Sequence, residues 1–121
     1  MNKIVLLGRF TRDPELKLKE NTDIKYVKFD LAVERKFKSD EPHGDVDFIP
    51  VIAWAKNAEN IHKYFSKGDF ISLSGRLLVS SYEDKEGIKR HSTNVVLEEF
   101  RFVGSNKNNK NDQIGNNSLS V

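Results

Sequence analysis

The chain has 121 residues, with 20 Lys and Arg against 18 Asp and Glu, so its formal net charge at pH 7 is +2. That length supports one domain with a modest core, and so small a charge excess does not by itself identify a nucleic-acid-binding protein. The sequence contains no Cys, which excludes disulfide bonds and thiolate metal ligands. No apolar run approaches the roughly 18 residues of a membrane span, so we expect a soluble, cytoplasmic protein.

Alternating or continuous apolar residues predict five strands. The first, KIVLLGR, is apolar on both faces, as a strand at a subunit interface would be. Arg9 and Arg12 closely follow its apolar patch, which favours a strand over a signal peptide. In the second strand Val27, Phe29 and Leu31 alternate with outward-facing neighbours, which is typical of a half-buried strand. The five segments are residues 3–9, 24–34, 46–54, 69–83 and about 89–103.

The third strand, VDFIPVIAW, is apolar at nearly every position and contains the only Trp of the chain. Successive side chains of a strand point to opposite faces. We therefore predict that Ile49, Val51 and Ala53 face the core. Phe48 and Trp54 have the other parity and are predicted to face outward, where they can contact a ligand.

Three local features interrupt the strands. Pro50 cannot donate a ladder hydrogen bond, so it is predicted to lie at a strand edge or a bulge. The stretch DKEG, residues 84–87, is predicted to be a turn with Gly87 in a left-handed conformation. In the last strand the apolar parity changes across Glu98 and Glu99, which predicts a β-bulge there.

One helix is predicted over NAENIHKYFSKG. Ala58, Ile61 and Phe65 recur at helical spacing within it and form one apolar stripe. We predict that Asn57 caps the start of this helix and that Gly68 caps its end.

The order of three strands, one helix and two strands predicts an all-β protein, a β-barrel with one helix. This is the arrangement of a five-stranded OB-fold with the helix between strands 3 and 4. We assign residues 1–103 to this domain. Residues 104–121 are rich in Asn and nearly devoid of apolar side chains, so we predict that they form a disordered tail.

No catalytic or metal-binding pattern is present in the sequence. His43, His62 and His91 fall on a predicted loop, helix and strand without metal-ligand spacing. Neither a Gly-rich phosphate loop nor a nucleophile elbow occurs. We therefore expect a protein that is not an enzyme and that uses no cofactor or metal.

Aromatic residues recur beside Lys and Arg. Phe37 lies within ERKFK, and Phe48 shares a strand face with Trp54. Tyr82 lies at the base of a predicted hairpin that carries several cations. Base rings stack on aromatic side chains while cations hold the phosphates, and neither contact requires a particular base, so the pattern favours binding of a nucleic-acid single strand. The candidate cations are Lys3, Arg9, Arg35, Lys36, Lys56, Lys67, Arg76, Lys85 and Lys89.

These residues also have ordinary structural interpretations. Phe48 fits core packing or a subunit interface, Trp54 fits packing ahead of the helix, and each cation fits a solvated surface. Two other functions fit the same pattern: an OB-fold protein-interaction module, and an RNA-binding OB protein that contacts the 2′-hydroxyl. Binding that is weak and insensitive to salt would favour the first, and a preference for ribose would favour the second.

Four stretches resemble the bacterial single-stranded DNA-binding protein family: VLLGRFTRDPELK, FDLAVERKF, DFIPVIAWAKNAENIHKYFSKGD and LSGRLLVSSYEDKEGIKRHSTNVVLEEFRFV. The resemblance covers residues 2–103. It implies an OB fold, a homotetramer, and binding of single-stranded DNA during replication, recombination and repair. By the same resemblance, the base-stacking positions of the family are occupied by Phe37, Phe48, Trp54 and Tyr82, and basic positions of its DNA path by Lys56 and Lys67.

The chain departs from the family pattern in two ways. Some members have Trp where this chain has Phe37, Phe48 and Tyr82, which implies a different stacking strength. Members commonly end in an acidic tip with a terminal aromatic that recruits replication and repair proteins, whereas this sequence ends in NNSLSV, with no acid after Asp112. Replication and repair proteins stay open as partners, and the departure is compatible with an accessory, competence-related or phage-encoded member.

Overall fold

The structure, a computed structural model, describes residues 1–36 and 45–104. Its strands are β1 (Ile4–Phe10), β2 (Lys17–Leu18), β3 (Lys25–Glu34), β4 (Val46–Trp54), β5 (Phe70–Glu83) and β6 (Lys89–Phe102), and its helix is α1 (Ala55–Tyr64). The five long strands agree with the predicted segments to within one residue at each end. Residues 105–121, which are predicted to be disordered, lie outside the described residues. In the described part of the chain, no helix is long and apolar enough to cross a membrane.

The five long strands close into a barrel. Their order in the sheet is β1, β5, β6, β4, β3, with the short β2 beyond β3, and an additional β1–β3 pairing joins the two ends. The β4–β6 pair is parallel, and the other pairs are antiparallel. Closure gives each long strand two neighbours and so removes open sheet edges over much of the barrel. The predicted OB fold, with its helix between the third and fourth long strands, is confirmed, and β2 is an element that the sequence did not indicate.

The core fills the barrel and the space under α1. Val51 and Ala53 are buried and Ile49 packs at the margin of the core, as the alternation in β4 predicts. The apolar stripe of α1 also faces this core, through Ala58 and Ile61. Each fully buried Val, Leu, Ile or Phe side chain contributes about 1.5–3 kcal/mol relative to an exposed one. These residues therefore hold α1 against the barrel.

The start of α1 differs from the prediction. The helix begins at Ala55, with Trp54 at the N-cap position and no side-chain cap hydrogen bond. The Asn57 side chain instead lies 3.4 Å from the carbonyl oxygens of both Leu97 and Glu98. Asn57 is therefore not a cap, because its amide joins the first turn of α1 to β6.

The end of α1 also differs from the prediction. The helix ends at Tyr64, and the extended Phe65 donates its N–H to the Ile61 carbonyl oxygen at 3.1 Å. Gly68 does have a left-handed φ of 91°, but it lies in the turn beyond the helix. Its N–H donates to the Phe10 carbonyl oxygen at 2.9 Å. Gly68 therefore joins this turn to the end of β1 and does not cap α1.

The bulge predicted in the last strand is confirmed. Ser74 of β5 lies opposite Glu99 of β6, whereas the next residue, Gly75, lies opposite Leu97. Glu98 is the additional residue on β6. A β-carbon at position 75 would collide with a backbone carbonyl oxygen of β6, so the tight approach of the two strands here requires glycine.

Two smaller predictions agree with the structure. Gly87 has a φ of 80°, and its N–H donates to the Asp84 carbonyl oxygen at 3.0 Å, so the turn between β5 and β6 has the expected form. Pro50 lies opposite Asp30 of β3, while the recorded pairing of β4 with β6 begins at Val51. Pro50 therefore pairs with β3 on one side and, among the described residues, has no paired strand on the other, as expected for a residue that cannot donate a ladder hydrogen bond.

Candidate nucleic-acid interface

Residues that lie opposite each other on paired strands share one face of a sheet. Lys28, Ile52, Val96 and Arg76 form such a row across β3, β4, β6 and β5. The two middle residues are apolar and buried, whereas Lys28 and Arg76 at the ends are exposed cations. We call the barrel surface that carries this row, on the side away from the core, the outer face.

A second row on the outer face runs across β5, β1, β3 and β4 through Phe70, Arg9, Ala32 and Phe48. The Arg9 guanidinium carbon lies 4.5 Å from the ring centroid of Phe70. Phe48 faces outward, as predicted, with 64% of its surface exposed. In this row the cation Arg9 lies next to Phe70, and Phe48 follows on its other side beyond Ala32. Aromatic rings on both sides of a cation suit alternating bases and phosphates.

Trp54 lies six residues along β4 from Phe48, which corresponds to about 20 Å at the usual rise of a strand. Its side chain is half-buried. The ring of Tyr26, directly opposite on β3, has its centroid 5.3 Å away at an interplanar angle of 43°. The Lys19 Nζ lies 5.8 Å from the indole centroid. Among the described residues, Trp54 thus has the aromatic Tyr26 and the cation Lys19 beside it, and part of its surface stays exposed.

Tyr82 lies on the β5–β6 hairpin, where 54% of its surface is exposed. It has the parity of Arg76 on β5 and lies opposite Arg90, near the start of β6. Because β4 and β6 run parallel, the starts of both strands lie toward the same end of the outer face. Phe48, near the start of β4, and Tyr82, opposite the start of β6, therefore lie toward the same end of the outer face. Phe37, like the rest of residues 37–44, lies outside the described residues.

Within residues 1–36 and 45–104, carboxylates contact the predicted cations Lys3, Arg35 and Arg76. Lys3 Nζ lies 3.7 Å from one carboxylate oxygen of Glu98, and Arg76 Nε lies 3.8 Å from the other. Arg35 donates from Nε and Nη2 to Asp47 Oδ1 at 3.1 and 2.8 Å, and this hydrogen bonding holds the pKa of Asp47 below its ordinary value. Any phosphate that bound these cations would have to compete with the two carboxylates for them.

The other predicted cations are exposed. Lys56 lies in the first turn of α1, two residues after Trp54. Lys67 lies in the turn between α1 and β5, and its backbone N–H donates to Asp13 Oδ1 at 2.8 Å. Lys56 is thus close in sequence to the aromatic candidate Trp54 at the start of α1, whereas Lys67 lies beyond the other end of this helix. The remaining cations lie after β3 and on the β5–β6 hairpin: Lys36, Lys85 and Lys89.

Lys28, Phe70 and Arg90 also lie on the outer face, although sequence reasoning did not select them as site residues. Lys28 and Phe70 occupy the solvent-facing parity of predicted strands. A large aromatic at such a position, as at Phe70, is a usable signal that was missed. Arg90 could not be separated from the neighbouring cations, because its position opposite Tyr82 depends on the register that the turn imposes.

The described residues contain no group of three His, Cys, Asp or Glu side chains that could hold a metal ion. His62 is exposed on α1 with Nδ1 3.0 Å from the Pro14 carbonyl oxygen, and His91 is exposed on β6. His43 lies outside the described residues. The groups that the outer face does present are aromatic rings, which can stack, and cations, which can pair with anions.

Comparisons with known proteins agree with this chemistry. The model of the Single-strand binding protein family matches residues 1–103. The chain is 46% identical over 120 residues to single-stranded DNA-binding protein 3 of Clostridium acetobutylicum, covering 96% of this chain and 83% of the relative. It is 45% identical over 118 residues to the single-stranded DNA-binding protein of Clostridium tetani, covering 97% and 81%. It is 38% identical over 113 residues to single-stranded DNA-binding protein 1 of Staphylococcus aureus, covering 93% and 72%.

Proposed function

The chain belongs to the single-strand binding protein family, and on that premise we propose that it binds single-stranded DNA without sequence preference. The observation that carries this proposal is the row Phe70, Arg9, Ala32 and Phe48, in which exposed rings lie on one surface on both sides of a cation. Rings accept any base because every base has a π-face, and cations accept any phosphate. Such a surface binds a flexible strand whose bases can turn outward.

The proposed path uses both ends of the outer face. Bases stack on Phe48 and Tyr82 at one end and on the exposed part of Trp54 at the other. Phosphates are held by Arg9 and by Lys56, with the other candidate cations along the strand. By family resemblance Phe37 is a further stacking residue of this path.

The cellular role that we propose is protection of single-stranded DNA in the cytoplasm, at the nucleoid, during replication, recombination and repair. It rests on the family relationship and on the lack of sequence discrimination that stacking provides. A protein that covers any exposed strand suits processes in which many different sequences become single-stranded.

We also propose that the chain forms a homotetramer, partly through β1. Val5 and Leu7, on the outer side of β1, are 70% and 55% exposed in the single chain. The recorded pairing of β1 with β3 covers only Arg9 and Phe10, so the preceding part of β1 offers one edge to another copy. Light scattering should give the mass of four chains at micromolar concentration. A monomer mass would contradict the assembly and leave these apolar side chains exposed to water.

The deciding experiment for the function compares oligo-dT, oligo-U and a duplex of matched length at two salt concentrations. We expect oligo-dT to bind at least as tightly as oligo-U and far more tightly than the duplex, with strong weakening at high salt because counterions are released. A preference for oligo-U would favour an RNA-binding protein that contacts the 2′-hydroxyl. Weak, salt-insensitive binding to every oligonucleotide would favour a protein-interaction module.

A further inference from the structure

The carboxylate of Asp84 organises the tip of the β5–β6 hairpin with three hydrogen bonds. Its Oδ1 accepts from the backbone N–H groups of Glu86 and Ile88, each at 2.9 Å. Its Oδ2 accepts from Arg90 Nε, also at 2.9 Å. One oxygen therefore shapes the turn, while the other holds a cation of the next strand.

The held cation lies beside a proposed stacking residue. Arg90 is directly opposite Tyr82 in the β5–β6 register, and residues so placed have their β-carbons about 4.5–5.5 Å apart on one face. Half of the Arg90 side chain is exposed. Its recorded bond uses Nε, so the two terminal amino nitrogens can still donate to a phosphate.

The bond to Asp84 is charge-assisted. The N–H of Ile88 and the Arg90 guanidinium hold the pKa of Asp84 below its ordinary value, so the carboxylate is ionised at neutral pH. Charge-assisted hydrogen bonds are stronger than neutral ones. A guanidinium fixed at one nitrogen loses less conformational freedom when it binds a ligand than one that moves freely.

We propose that Asp84 is a positioning residue that holds Arg90 beside Tyr82, so that Arg90 binds the phosphate next to the base stacked on Tyr82. The inference rests on the proposed function and adds to it a phosphate contact and the acid that orients it. It has an unusual consequence. A negative charge on the DNA path increases affinity, although its bare charge repels the phosphates.

The test is Asp84→Asn, which is close to isosteric. The Asn carbonyl oxygen can still accept the two backbone N–H groups, but its amide nitrogen cannot accept from Arg90. We expect oligo-dT affinity to fall about three- to tenfold, a factor of ten being 1.4 kcal/mol. Glu86→Gln is the matched control, because it removes one negative charge from the same turn and keeps the backbone bond to Asp84. That control should bind as tightly as the wild type or slightly more tightly.

A double-mutant cycle shows whether Asp84 acts through Arg90. Arg90→Lys keeps the charge but not the guanidinium geometry, and it should weaken binding by a similar factor. The double variant should bind no more weakly than Arg90→Lys alone, because both changes remove one contact. Arg90→Gln should in addition make the slope of log K against log salt shallower by roughly 0.7, the value for one phosphate.

Two results would overturn the inference: binding by Asp84→Asn that is as tight as that of the wild type or tighter, or losses that multiply in the double variant. Thermal melting and light scattering of each variant establish that the fold and assembly are intact. Failure of the wild type to bind oligo-dT would reject the proposed function itself. Normal wild-type binding with no loss in Asp84→Asn would reject only the role of Asp84.

Discussion

The Glu98 carboxylate lies 3.8 Å from Arg76 Nε at the β-bulge of β6. Its other oxygen lies 3.7 Å from Lys3 Nζ. Both cations belong to the candidate DNA path, and all three side chains are about half exposed. The bulge adds Glu98 to β6, and its carboxylate lies against both cations, where it would compete with any phosphate that they bound.

We predict that Glu98→Gln tightens binding of oligo-dT by about two- to fivefold at low salt, since exposed ion pairs of this kind are worth about 0.2–1 kcal/mol. The gain should shrink at high salt, where exposed charges are screened. Glu99→Gln is the control, because Glu99 is an exposed neighbour in the same strand and carries the same charge. Equal effects of the two changes would mean that only net charge matters and that Glu98 does not compete with the phosphate.

We predict that Lys56→Ala weakens binding of all sequences alike and makes the salt slope shallower by roughly 0.7, the contribution of one phosphate on a single strand. Lys56 lies in the first turn of α1, two residues after Trp54, whereas Lys63 lies in the last turn with its Nζ 5.1 Å from the ring centroid of Tyr64. Lys63→Ala is therefore the control and should leave the slope unchanged. Slopes measured by titration at four or more salt concentrations would decide the matter, and an unchanged slope for Lys56→Ala would remove it from the path.

The alternation of apolar residues located the long strands and their faces well, because one face of each must be buried. Val51 and Ala53 are buried and Phe48 is exposed, as their parity requires. The bulge could also be predicted, since an added residue at Glu98 shifts the parity of everything after it. These features depend on short-range periodicity, which a sequence displays directly.

The parts that could not be predicted depend on contacts between distant segments. Asn57 has a typical capping residue type, but its side chain is used for carbonyl oxygens of β6 about forty residues away. The placement of Arg9 between Phe70 and Phe48 depends on the registers that close the barrel. A register is set by packing and turns and is not readable from one strand alone. The ion pair of Arg35 with Asp47 could not be predicted for the same reason, because it depends on the register between β3 and β4.

We predict that Gly75→Ala lowers the free energy of unfolding by about 1–3 kcal/mol, the usual range for overpacking. A β-carbon at this position would overlap the backbone carbonyl oxygen of Val96, which cannot move without disturbing the β5–β6 ladder. Ser74→Ala, one residue earlier, adds no atom and should have a much smaller effect. Thermal melting should be compared at one fixed protein concentration, because assembly makes Tm depend on concentration. A Gly75→Ala variant as stable as the wild type would mean that the bulge relaxes freely.

We predict that the stabilising effect of Asp84 disappears in acid. The native hydrogen bonds hold the pKa of Asp84 below its ordinary value, so the stabilisation is present above the unfolded value of about 3.9 and is lost as pH falls through the lower native value. Wild type should therefore melt at a slightly higher temperature than Asp84→Asn at pH 7. The two should converge once the pH falls below the native pKa of Asp84, because a protonated Asp and an Asn are both neutral. A difference in Tm that stays constant or grows on acidification would contradict this linkage.

Trp54 offers a direct optical test, because it is the only Trp of the chain. If a base stacks on its exposed part, oligo-dT should quench the emission and saturate at a defined stoichiometry. Stacking is worth about 1–3 kcal/mol per base, so Trp54→Ala should weaken binding by up to about a hundredfold per engaged site. Trp54→Phe should keep much of the affinity, since it retains a π-face and can still pack against Tyr26, whose ring centroid lies 5.3 Å from the indole.

The alternative is that Trp54 mainly packs against Tyr26. In that case Trp54→Ala should lower Tm sharply, while oligo-dT leaves the wild-type emission unchanged. Lost affinity with an intact fold supports stacking, whereas lost stability without quenching removes Trp54 from the site.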